Sequence, residues 1–104
     1  MNAYKLFRVK KDGSLGSLFI GRDLTILKDR WMTAETNLPH PGLAHRPGFH
    51  CCAKMTAPHI KLKLKSGEIR VWRKVEIEDY ETIVRPASQG GVWFIAKQML
   101  VHTQ

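Results

Sequence analysis

The stretch Pro39 to Ile60, PHPGLAHRPGFHCCAKMTAPHI, holds four of the five histidines, both cysteines and four of the five prolines of this 104-residue chain. Imidazole and thiol are the side chains that hold metals and attack electrophiles near neutral pH. Two chemistries follow. Zinc takes four ligands in a tetrahedron, and His45, His50 and His59 with one cysteine would supply them. The spacing matches no standard knuckle, and there is no C-x2-C pair. Alternatively, Cys51 or Cys52 acts as a nucleophile with His50 or His59 as base. Neighbouring residues of a strand point to opposite faces, so only one of the two cysteines can face a given pocket. Nothing in the sequence lowers a thiol pKa, so buried thiols and ordinary histidines are the expectation. No catalytic residue is assigned. Arg46 has the fork geometry to grip a phosphate or a carboxylate. His45, Arg46, His50 and His59 are therefore candidate pocket residues.

A second group of residues suits an anionic target. Ile60, Leu62 and Leu64 alternate with Lys61, Lys63 and Lys65 before Ser66-Gly67, and Ile69, Val71, Val75 and Ile77 follow on one face. A two-residue turn at Ser66-Gly67 sets Lys65 against Glu68 and puts both apolar sets on one side of an antiparallel hairpin. The other side then carries Lys61, Lys63, Lys65, Arg70, Trp72 and Lys74. Lys63 faces Arg70, and Lys61 faces Trp72 as a cation–π pair. Such a ribbon can track phosphates and stack a base. The bland alternative is a solvated edge whose lysines discourage aggregation. Glu76, Glu78, Asp79 and Glu81 lie directly beyond and favour that alternative.

The remaining elements must hold these groups. Tyr4 to Lys11 is β-prone and closes at Asp12-Gly13, with Leu18-Phe19-Ile20 placed to pair back. Asp23 to Glu35 reads either as a helix capped by Asp23, with Leu24, Leu27 and Trp31 at helical spacing, or as a strand over Arg30 to Ala34. Pro39, Pro41 and Pro47 make 37–48 loop-rich. Phe49 to Ala53 reads as a short strand. Arg73 interrupts the apolar pattern and marks a bulge or a buried ion pair. Gln89-Gly90-Gly91 turns the chain into Val92 to His102, one bent strand or two. The expected fold class is α+β, mostly antiparallel β-sheet with at most one or two short helices, in a single compact domain spanning 1–104.

Composition narrows the function classes. Hydrophobic residues make up 43% of the chain, enough for a packed core. No apolar run approaches the roughly 18 residues of a membrane span, and no secretory h-region opens the chain. A cytoplasmic protein is expected, with both cysteines reduced. Adjacent cysteines are also poorly placed for a disulfide, whose geometry would strain the peptide between them. The net charge of +8 favours an acidic partner such as nucleic acid, an acidic protein surface or anionic lipid.

The segments GFHCCAKMTAPHI, IRVWRKVEIEDYETIVRP and QGGVWFIAKQMLVHT resemble, in their order, the small ADP-ribosyltransferase-like domains of bacterial toxins and of phage polyvalent proteins. The resemblance implies an early strand at Tyr4 to Val9 with Arg8 at the basic position, a glycine–aromatic strand at Gly48 to His50, and a helix bearing Ala57. It also implies NAD bound between Arg8 and the His45–His50 segment, which adds Arg8 to the candidate pocket. Cys51 and Cys52 stand where the family has Ser or Thr, Gln89 and Gly91 where it has its catalytic glutamate, and Pro58 disfavours the helix. Gln cannot supply the carboxylate charge, so a degenerate copy without transferase activity is implied. HRPGFHCCAKMTAPHI also resembles small phage and prophage proteins. The expected function is a phage-type binding protein that contacts nucleic acid or a host nucleoprotein complex through the lysine ribbon. Inhibition of a bacterial defence nuclease, as anti-CRISPR proteins achieve, is one concrete form. An NAD-binding enzyme or inactive relative and a small zinc module are the alternatives.

Overall fold

Glycine at the third position of two short loops sets the frame of this fold. The computed structural model describes residues 1–18, 25–34 and 48–103. In the first loop, Gly13 N donates to Lys10 O at 2.9 Å and Lys10 N to Ser14 O at 2.8 Å. In the second, Gly67 N donates to Leu64 O at 3.0 Å and Leu64 N to Glu68 O at 3.0 Å. Gly13 and Gly67 have φ of 87° and 93°, a left-handed conformation that glycine adopts without steric cost. Both are three-residue hairpin loops, Lys11-Asp12-Gly13 and Lys65-Ser66-Gly67.

The second loop corrects the expected register. A two-residue turn would set Lys65 against Glu68, but the extra loop residue sets Lys63 against Ile69. One residue of slip reverses which face every side chain takes. The apolar alternation of Ile60, Leu62 and Leu64 therefore loses its match to Ile69 and Val71. Residues 60–65 form no strand; beyond the loop bonds of Leu64 they meet β6 through that bridge and a bond from Arg70 N to Leu62 O of 2.8 Å. Leu62 stays 48% exposed.

The strand that follows finds other partners. β1 (Asn2–Val9) pairs antiparallel with the first half of β6 (Ile69–Val84), from Asn2↔Glu76 to Val9↔Ile69. The second half of β6 pairs with β7 (Val92–Val101), from Val75↔Val101 to Val84↔Val92. β5 (Phe49–Cys52) lies along β7 and touches β1 at Tyr4↔Cys52. The pairing thus runs β1–β6–β7–β5 and returns to β1. β2 (Leu15–Gly16) pairs back on β1, β3 (Thr25–Ile26) on β2, and β4 (Trp31–Thr33) on β7. A 3-10 turn at Ala87–Gln89 leads to Gly90 and Gly91 and into β7 as one strand. The mostly antiparallel expectation holds.

Three local readings change. The return strand after Asp12-Gly13 is Leu15–Gly16, nearer the turn than Leu18-Phe19-Ile20; Phe19 and Ile20 lie outside the described residues. Over 25–34 the strand alternative applies, since Trp31, Met32 and Thr33 pair with Leu100, Met99 and Gln98. Asp29, at φ 62°, breaks any helix there; Asp23 and Leu24 lie outside the described residues. The β1–β6 register runs through Arg73 without a bulge, and Arg73 makes no ion pair among the described residues. Its Nη2 donates to the carbonyls of His102 and Thr103 and ties down the end of the chain.

Ala3, Phe7, Cys51, Val75, Ile77, Ala96, Met99 and Val101 fill the inside of the ring. Fully burying a large side chain of this kind stabilises by about 1.5–3 kcal/mol. Alternation along the strands explains most of the set, with one slip. On β7 the inward positions are Phe94 and Ala96, then Met99 and Val101. On β6 they are Val75 and Ile77; beyond them Tyr80, opposite Ala96, takes the same face but stays 41% exposed, its ring edge-on to Phe94 at 5.4 Å. The slip falls at Asp79, which has φ 52°. Left-handed backbone redirects the strand, and aspartate is among the few residues other than glycine that visit it. A second cluster lies on the outer face, where Ala57 and Ile60 pack with Cys52, Trp93, Trp72 and Ile83.

Candidate functional site

The two glycine loops stand on either side of one groove. It measures about 390 Å³ and is lined by Arg8, Val9, Lys10 and Lys11 from the first hairpin and by Ser66, Gly67, Glu68 and Ile69 from the second. The β1–β6 register creates it by bringing Val9 beside Ile69 and Arg8 beside Arg70. Two arginines facing across a strand pair repel unless something offsets them. Glu68 does so for Arg70, whose Nε lies 2.9 Å from Glu68 Oε2, with both side chains nearly buried. Arg70 Nη1 also donates to Lys61 O at 3.2 Å. Lys10 Nζ donates to Thr25 Oγ1 at 3.1 Å.

Lys11, Lys61, Lys63 and Lys65 are exposed around this groove or on the segment that leads to it. Among the described residues, the carboxylates at this groove are Glu68, held by Arg70, and Asp12. Asp12 Oδ1 accepts from Ser14 Oγ at 2.6 Å and from Ser14 N at 2.9 Å. Those bonds hold its carboxyl below the ordinary value, with Lys10 adding a smaller pull. Among the described residues this end of the molecule is therefore strongly cationic, and Asp12 and Glu68 are both hydrogen-bonded.

The residues read from sequence divide accordingly. Lys61, Lys63, Lys65 and Lys74 are exposed. Arg70 serves the fold through Glu68. Trp72 packs in the outer cluster, opposite Leu6, which is itself buried. Its ring is partly buried there. Arg8 joins the lysine group through the β1–β6 pairing. Lys10 and Lys11 were not picked out from the sequence. Their signal was the repeat of one loop pattern, Lys11-Asp12-Gly13 and Lys65-Ser66-Gly67.

The histidine–cysteine segment shows different chemistry. His45 and Arg46 lie outside the described residues. His50 sits on β5 opposite Ile95, and its carbonyl accepts from Lys5 Nζ at 3.0 Å. His59 is exposed and meets Trp93 edge-on at 6.1 Å. Cys51 belongs to the inner core and Cys52 to the outer cluster, so the two do face opposite ways. Both are free and buried. Burial pushes the Cys51 thiol up and the Cys52 thiol up to about 12, the reverse of what a nucleophile needs. Among the described residues, no three of His, Cys, Asp or Glu gather to hold a metal. Ala57 lies in a turn segment rather than on a helix. Burial also lowers the pKa of Lys5, whose ammonium sits 5.7 Å from the centre of the Phe7 ring.

Among the described residues, no helix is long and apolar enough to cross a membrane. No family model, curated protein or solved structure matches this chain.

Proposed function

We propose that this protein binds nucleic acid through the groove between its two Lys-X-Gly loops. The observation that carries the reading is the convergence of Arg8, Lys10 and Lys11 on one wall with the Lys65 loop on the other. Phosphate oxygens are the ligand that several closely spaced cations favour, and released counterions drive the association. A host nucleoprotein complex offers the same phosphates. Inhibition of a defence nuclease through its bound nucleic acid falls within this reading.

Salt tests it. Four lysine–phosphate contacts predict a loss of affinity on the order of a hundredfold between 50 and 200 mM salt. Lys11→Glu with Lys65→Glu weakens binding at least tenfold, with an unchanged melting temperature, because both side chains are exposed. Binding that ignores salt, or survives both substitutions, sinks the proposal.

A further inference from the structure

We infer that the groove takes the sugar–phosphate backbone of a duplex and not a single strand. The inference rests on the nucleic-acid reading above and adds the class of nucleic acid. Binders of single strands gain much of their affinity from bases stacked on aromatic rings, roughly five- to a hundredfold per base. This face has no ring to offer among the described residues. The groove lining contains no aromatic side chain. Phe7, next to Arg8 in the chain, is fully buried, and Trp72 packs against a cluster of Cys52, Ala57 and Trp93. The apolar groups left at the rim are aliphatic, Ile69 at 49% exposure and Leu62 at 48%.

Without stacking, affinity comes from charge alone, and charge alone favours the denser polyanion. A duplex carries one charge per about 1.7 Å of axis, against about 3.4 Å for each strand. Counterion release per contact is also greater, about 0.9 on a duplex and about 0.7 on a single strand. The two loops are fixed by hydrogen bonds at their bases, so Lys11 and Ser66 are held in the groove lining, with the exposed Lys65 next to Ser66 in the second loop. A stiff backbone ridge seats between fixed walls without first being ordered, whereas a flexible strand loses entropy there.

The test is fluorescence anisotropy with three labelled probes of equal length: a 20-base-pair DNA duplex, the RNA duplex of the same sequence, and oligo-dT. Titrations at several salt concentrations give the slopes. At 50 mM salt at least one duplex binds tenfold or more tighter than oligo-dT. Its log–log salt slope lies near −3.6 for four contacts, by the counterion-release relation. DNA alone or RNA alone binding in this way supports the inference and names the source. Oligo-dT binding as tightly as either duplex overturns it while leaving nucleic-acid binding intact. Failure of all three probes to bind overturns both. In a Trp31→Phe variant the remaining emission comes from Trp72 and the buried Trp93; quenching of it by oligo-dT that disappears when Trp72 is also replaced by Phe would overturn the inference, since Trp72 would then be stacking a base.

Discussion

The two halves of β6 share one strand but live in different environments. From Ile69 to Glu76 it lies against β1, and its outer face carries Arg70, Trp72 and Lys74. From Ile77 to Val84 it lies against β7 and carries Glu78, Asp79 and Glu81, all exposed. In the first half Arg70 is drawn onto Glu68 and Trp72 against the outer cluster, while Lys74 stays exposed. Further exposed cation is supplied by the two glycine loops. The second half leaves its carboxylates in solvent. At about 3.3 Å per residue, Arg70 and Glu78 stand about 26 Å apart along the strand, well beyond the screening length of about 8 Å at physiological salt. The acidic run therefore does not neutralise the basic end, as its closeness in sequence suggested. Separation along a strand, rather than neighbourhood in the chain, decides which charges compensate.

The largest expected effect tests whether Trp72 belongs to the fold of the first half. Trp72→Ala removes a partly buried ring packed against the outer cluster and costs about 2 kcal/mol, measured by urea unfolding. Affinity for a DNA duplex, measured where both proteins are folded, changes less than twofold. A large loss of affinity with unchanged stability would return Trp72 to the binding surface and erase the contrast.

Charge reversal comes next. Glu78→Lys with Glu81→Lys raises the net charge by the same amount that Lys11→Glu with Lys65→Glu lowers it. If the groove sets affinity, the acidic-half variant binds a duplex less than about threefold tighter at 150 mM salt, because its new charges lie beyond the screening length. Equal and opposite effects of the two variants would mean that the field of the whole protein, not a site, governs association.

What could be read in advance follows the same division. Ile69, Val71, Val75 and Ile77 are legible because period-2 alternation reports a strand face directly. The mistaken register of Lys65 and Glu68 came from reading Ser66-Gly67 as a two-residue turn. A glycine in the left-handed region fits a two- or a three-residue loop, and only the backbone bonds choose between them. The Arg70–Glu68 pair was accessible in principle, since residues two apart share a strand face. The groove was not. It depends on Arg8 meeting Arg70 and Val9 meeting Ile69, a pairing of residues some sixty positions apart that no local pattern specifies. The separation of Cys51 from Cys52 followed from strand geometry alone.

The smallest effect concerns the joint between the halves. Asp79 holds a left-handed backbone at φ 52°, where the inward face of β6 passes from Val75 and Ile77 to Tyr80. Glycine occupies that region without the side-chain clash, although it gives up more freedom on folding. The clash relieved is the larger of the two for a residue already fixed in this conformation, so Asp79→Gly stabilises by about 0.5 kcal/mol and raises the melting temperature by a few degrees. Asp79→Val, β-branched and intolerant of positive φ, costs more than about 1 kcal/mol although the position is exposed. Duplex affinity is unmoved by either, because the joint only redirects the strand. A valine variant as stable as the parent would show that the strand can cross from its basic to its acidic half without that bend, and that the change of face is imposed by β7 instead.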